Sequence, residues 1–206
     1  MNRDAMPRRH FVLAPALFLA ACQAPSANSP TGPSSDGVDL RGAAIGGPFE
    51  LVDKTGKTVR WSDFAGKYRI VYFGYAYCPD VCPTDVQRFS QGFKIFARAN
   101  PELAKRVQPI FITVDPERDT PEKVGEFAAA FMPELIGLTG TPTQVEAAKS
   151  AFKVFSSKGA EQPGGGYLVN HTNITYLFDP EGEPLGTLPT DKGPQAVAAE
   201  LSRWVR

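Results

Sequence analysis

The chain has 206 residues, 22 Lys and Arg against 22 Asp and Glu, and a 42% hydrophobic composition. This balance gives neither the basic stripe that binds nucleic acid nor a cationic face for anionic lipid. Three cysteines, two histidines and three methionines leave few side chains for thiol or soft-metal chemistry.

Residues 1–21 read as a signal peptide. Arg3, Arg8 and Arg9 make a basic start, and Phe11 to Ala21 make an apolar run of 11 residues, too short to span a bilayer. Leu19-Ala20-Ala21-Cys22 resembles a lipobox, which predicts a lipid on Cys22 and an anchor on the periplasmic side of a bacterial membrane. Arg8-Arg9-His10-Phe11 also resembles a twin-arginine export signal. Export puts the chain in an oxidising space. Ser26 to Asp36 lacks large apolar residues and reads as part of a tether over residues 22–46. Residues 47–206 are enough for one domain with its own core. Loss of residues 1–21 removes three basic and one acidic side chain, leaving a formal charge of −2. It also removes His10, so that His171 is the one histidine of the mature chain.

The predicted elements then alternate. Phe49 to Asp53 and Lys57 to Trp61 flank Lys54-Thr55-Gly56 and predict a β-hairpin. Tyr68 to Tyr75 reads as a strand buried on both faces. Pro83 to Ala99 reads as a helix, with Val86, Phe89, Phe93 and Phe96 at three- and four-residue spacing. Val107 to Val114 is a second buried strand. Asp119-Thr-Pro-Glu122 and Thr141-Pro-Thr-Gln144 are helix starts. Gly159 to Leu168, with three consecutive glycines, reads as a flexible loop leading into His171. Asn173 to Asp179 and Glu183 to Leu188 are strands about a Glu181-Gly182 turn, and Pro194 to Val205 is a closing helix. This order predicts a layered α/β fold: a thioredoxin-like central mixed sheet flanked by helices, with an N-terminal hairpin.

Chemistry concentrates at Cys78 and Cys82, where a strand gives way to a helix. Residues four apart on a helix differ by about 40° in azimuth and about 6 Å in rise, so both sulfurs can face one way. That separation accepts a disulfide and equally lets two thiolates hold one metal ion. As a staple the pair would add only about 2 kcal/mol, because its ring is so short. A helix start lowers thiol pKa, and Asp80 between the cysteines reads as a helix cap. His171 is by itself a structural residue or a ligand. Two thiolates with one imidazole suit copper, Cu(I) above all, and no further Cys or His supplies the fourth ligand that zinc usually takes. Asp115 before Pro116 reads as a strand-end turn, and Asp119 or Thr120 as the cap of the next helix.

Three stretches together resemble the Sco/SenC family. They are Gly74-Tyr-Ala-Tyr-Cys-Pro-Asp-Val-Cys-Pro83, Val114-Asp-Pro-Glu-Arg-Asp-Thr-Pro-Glu122, and the run from Val169-Asn-His-Thr172 to Tyr176-Leu-Phe-Asp-Pro180. The resemblance implies a membrane-tethered, thioredoxin-like copper chaperone that helps assemble the CuA site of cytochrome c oxidase. Its partner would be the copper subunit of that oxidase or another cuproprotein. It implies copper ligation by Cys78, Cys82 and His171, with Asp115 and Asp119 in a loop near them. The family usually has Asp before the ligand histidine; Asn170 stands there in this chain and would back the imidazole more weakly. The competing function is a thiol–disulfide oxidoreductase or redox sensor, in which Cys78 and Cys82 are the exchanging pair and no histidine is needed. Peroxide reduction, drawing on Thr84 and Arg88, is a third reading.

Overall fold

The computed structural model describes Met1 and residues 36–162 and 165–206. The chain divides into two units, Met1–Pro33 and Ser34–Arg206, and the second carries the fold. Residues 2–21 of the expected leader, Cys22 and most of the expected tether lie outside the described residues. Residues 38–46, also expected in the tether, lie against the domain instead. The Leu40 amide donates to the Leu185 carbonyl, and Thr187 donates to Val38. Among the described residues no helix is long and apolar enough to cross a membrane.

β1 (Glu50–Val52) and β2 (Thr58–Arg60) form the expected antiparallel hairpin. β3 (Tyr68–Gly74) and β4 (Val107–Thr113) run parallel, with every residue of β3 buried. Their β-branched and aromatic side chains suit a strand covered on both faces. β5 (Ile136–Leu138) adds a third parallel strand that sequence patterning missed; three residues hold no readable period. β8 (Thr175–Phe178) joins β3 antiparallel, and β9 (Pro184–Leu188) joins β8. The central sheet thus has the order β5-β4-β3-β8-β9, mixed as expected.

α1 (Val81–Ala99) begins two residues earlier than its apolar spacing predicts and takes in Cys82. Its buried stripe contains Val86, Phe89, Phe93 and Phe96. α2 (Pro101–Ala104) is a single turn. α3 (Pro121–Ala129) is capped by the Thr120 hydroxyl, which accepts from the Lys123 amide. Thr141 and Gln144 close a reciprocal capping box at the start of α4 (Pro142–Ala151). α5 (Pro194–Trp204) packs on α1. Gly92 lies in this contact, where a Cβ would stand 2.5 Å from Val197 Cγ1.

The expected flexible loop is in part a hairpin. β6 (Ser156–Glu161) and β7 (Tyr167–His171) form a separate antiparallel pair, which takes in both ends of the segment expected to be loose, residues 159–161 and 167–168. Ser156 is the register partner of His171. Glycine-rich, polar sequence hid this hairpin, whose residues are mostly half-buried or exposed and show little apolar alternation.

Candidate metal centre

The site forms where β3 ends. The chain turns after Gly74, and the Cys78 amide donates to the Tyr75 carbonyl. Cys78 therefore precedes α1 and Cys82 lies in its first turn, so the pair does not share one helix as its spacing suggested. The sulfurs still converge, because the Cys82 amide donates to Cys78 Sγ at 3.5 Å. Asp80 holds the capping position, but its side chain makes no capping bond. The helix-cap reading of Asp80 is thereby corrected: the Cys82 amide in the first turn of α1 donates to the Cys78 sulfur instead. Neither cysteine is in a disulfide; Cys82 is buried and Cys78 partly exposed.

His171 reaches the same spot from the end of β7. Its Nε2 lies 3.1 Å from Cys82 Sγ, and its Nδ1 lies 3.0 Å from the Thr172 carbonyl. A carbonyl only accepts, so Nδ1 carries the hydrogen and the Nε2 lone pair points to the sulfurs. The ligand atoms of Cys78, Cys82 and His171 all lie within 4.8 Å of one another. Rings of Tyr72 and Tyr75 stand edge-on to the imidazole, at 6.3 and 6.0 Å between centroids. A cleft of about 340 Å³ opens beside Cys78, Pro79 and His171. A larger groove of about 1040 Å³ lies near Trp61 and Arg69, at the other end of β3, and holds none of the three.

The two thiols are unequal. Hydrogen bonding from the Cys82 side chain and from the Asp80 and Cys82 backbone amides pulls the Cys78 pKa down to about 3, against the effect of burial. Cys82 is pushed up, because it serves as the donor to Cys78 and is buried. The arrangement is a thiolate beside a thiol, with the Nε2 edge of the imidazole facing both.

The acidic residues stand one step back. Asp119 is fully buried, and its Oδ2 accepts from the Ala76 amide at 2.9 Å and the Thr113 hydroxyl at 2.6 Å. It is not a helix cap; Thr120 has that role. Asp115 accepts from Arg118 Nε and from the Tyr167 hydroxyl. Asn170 is exposed on β7 opposite Ser157, and alternation along the strand turns it away from the face of His171. The expectation that Asn170 backs the imidazole is corrected, since the Thr172 carbonyl does so. Thr84 donates to the Asp80 carbonyl, which leaves the peroxide reading without a placed hydroxyl. Sequence reading passed over Arg118, although it lies inside a quoted motif, and also over Tyr72, Tyr75 and Tyr167.

Fold and site together define a thioredoxin-like protein whose Cys–Cys–His group suits a soft metal ion. A family model described as SCO1/SenC matches residues 38–206, and the chain belongs to that family. Protein SenC of Rhodobacter capsulatus is 42% identical over 163 residues, covering 79% of this chain and 71% of that protein. The human mitochondrial SCO1 homolog is 36% identical over 164 residues, again 79% of this chain but only 53% of the human protein, about half its length. Among solved structures, Bradyrhizobium japonicum ScoI with copper bound superposes with a TM-score of 0.70 at 37% identity, covering 78% of this chain and 99% of that one. Arabidopsis thaliana ScoI with copper bound gives 0.72 at 34%, covering 78% and 97%.

Proposed function

We propose that this protein is a copper chaperone, which takes one Cu(I) on Cys78 Sγ, Cys82 Sγ and His171 Nε2 and passes it to a cuproprotein. The CuA site of cytochrome c oxidase is the proposed recipient. A lipid on Cys22 would tether the domain at the periplasmic face of a bacterial membrane. The carrying observation is the His171 ring, held by Thr172 with its free nitrogen 3.1 Å from Cys82 Sγ. Two sulfurs and one imidazole are a soft, three-coordinate set that suits Cu(I), and relatives above 30% identity have been solved with copper bound. Cys78 meets the ion as a thiolate, and Cys82 releases one proton on binding, so affinity rises with pH.

A second reading draws on the same asymmetry. A partly exposed thiolate at Cys78, next to a buried protonated Cys82, resembles an attacking and a resolving thiol in disulfide exchange. Replacement of His171 by Ala separates the two. The copper reading expects Cu(I) affinity to fall while exchange with a small disulfide continues at its former rate. Unchanged Cu(I) affinity in H171A would remove His171 from the site and leave exchange as the better account.

A further inference from the structure

We infer that the loop carrying Asp115, Arg118 and Asp119 sets where His171 stands relative to the sulfurs, with Arg118 as the positioning residue; this rests on the copper reading above. The three ligands arrive on two segments far apart in sequence. Cys78 and Cys82 follow β3, whereas His171 ends β7, outside the central sheet. Something must fix one segment to the other, and the contacts of this loop do so from both sides.

Toward the histidine, Arg118 Nη1 donates to the Tyr167 carbonyl at 2.9 Å, and its guanidinium lies 3.7 Å over the Tyr167 ring. The Tyr167 hydroxyl donates to Asp115 Oδ1 at 2.8 Å, and Arg118 Nε donates to Asp115 Oδ2 at 2.5 Å. Tyr167 is thus held by its ring, carbonyl and hydroxyl at once, four residues before His171 on the same strand. Toward the cysteines, the same guanidinium lies 5.6 Å from the Tyr75 ring and 5.4 Å from the Tyr77 ring. Asp119 accepts from the Ala76 amide between those two tyrosines. The Tyr75 hydroxyl accepts from the Val169 amide, a direct bond between turn and hairpin.

This task needs a planar fork with two usable faces. Arg118 is mostly covered, at 23% side-chain exposure, and its partner Asp115 is at 2%. An ammonium could supply the charge near Asp115, but not the stacking on Tyr167 or the directed bond to its carbonyl.

The test is an anaerobic Cu(I) titration of the full chain against a competing chelator. It compares wild type, Arg118→Met, Arg118→Lys, His171→Ala and the Arg118→Met/His171→Ala double variant. Loss of a residue that orients a ligand costs about 10- to 100-fold in metal affinity. Arg118→Met is expected to lose that much, and Arg118→Lys nearly as much. In the His171→Ala background Arg118→Met should change affinity by less than about twofold, because its effect passes through the imidazole. X-ray absorption of loaded Arg118→Lys should show the nitrogen ligand weakened while both sulfurs remain; this variant keeps the charge and serves if Arg118→Met does not fold. Full affinity in either variant, or an equal loss with and without His171, overturns the inference. A wild type that takes up no Cu(I) would instead overturn the copper reading on which it rests.

Discussion

Cys78 and Cys82 show how two identical side chains become chemically different. The first sits at the mouth of a helix, receiving hydrogen bonds, and the second is buried and gives one. The Cys78 pKa falls from the ordinary thiol value of about 8.5 to about 3. A depressed pKa contributes stability that is present above the unfolded value and fades as pH falls through the folded one. Cys78 therefore helps hold the fold at neutral pH and ceases to do so only in strong acid. Alkylation of Cys78 by iodoacetamide, followed by mass spectrometry, should still proceed near its plateau rate at pH 6. A midpoint near the ordinary thiol value would contradict the described hydrogen bonding. Asp119 carries a second residue-scale prediction. Asp119→Ala leaves the buried Thr113 hydroxyl and the Ala76 amide without their acceptor, which costs about 1–3 kcal/mol per orphaned group. Urea unfolding should show a loss of about 2–6 kcal/mol for the two groups together; a loss below about 0.5 kcal/mol would mean that water replaces the carboxylate.

Among the elements, those with strong periods were legible and those with local tertiary support were not. Val86, Phe89, Phe93 and Phe96 marked α1 because helical spacing alone sets their face. The capping box at Thr141 marked α4 for an equally local reason. β6 and β7 gave no such signal: Gly159, the glycines at 164–166 and exposed polar residues suggest a loose loop. Their order comes from contacts with Arg118, Tyr75 and Thr172, which no local pattern encodes. The ligand trio itself was readable, because His171 is the only histidine after His10. The residues that orient it were not, because nothing in the sequence puts Tyr167 beside Asp115. The α1–α5 contact gives a test at this scale. Gly92→Ala puts a methyl 2.5 Å from Val197 Cγ1 and 2.8 Å from the Pro194 carbonyl. Overpacking of this kind costs about 1–3 kcal/mol. Helix propensity alone would make alanine the more stable residue by about 1 kcal/mol, so the sign of the measured change decides which effect wins.

At the scale of the molecule, an aromatic cluster gathers around the buried Phe152. Phe152 meets Trp61 at 5.3 Å, Phe73 at 5.3 Å and Phe178 at 5.4 Å between ring centroids. Phe152→Ala should cost about 3–5 kcal/mol by denaturant unfolding, while the Cys78 alkylation profile keeps its shape in the folded variant. At the sulfur end, metal supplies one more tie between distant segments. Cu(I) at a hundredfold excess over its dissociation constant should add about 2.7 kcal/mol of stability. That gain should vanish in Cys78→Ser/Cys82→Ser; a thermal midpoint that rises equally in this variant would place copper elsewhere.

The imidazole rides on a two-stranded ribbon of its own, whereas both sulfurs are rooted in segments leaving the five-stranded sheet. Lifting that ribbon would strip one ligand from the cargo and leave it two-coordinate, open to an incoming acceptor group, with the scaffold intact. Unloading then becomes a local opening rather than an unfolding event, at a free energy well below that of global denaturation. The handover rate would be set by a hinge of a few residues that never touch the ion.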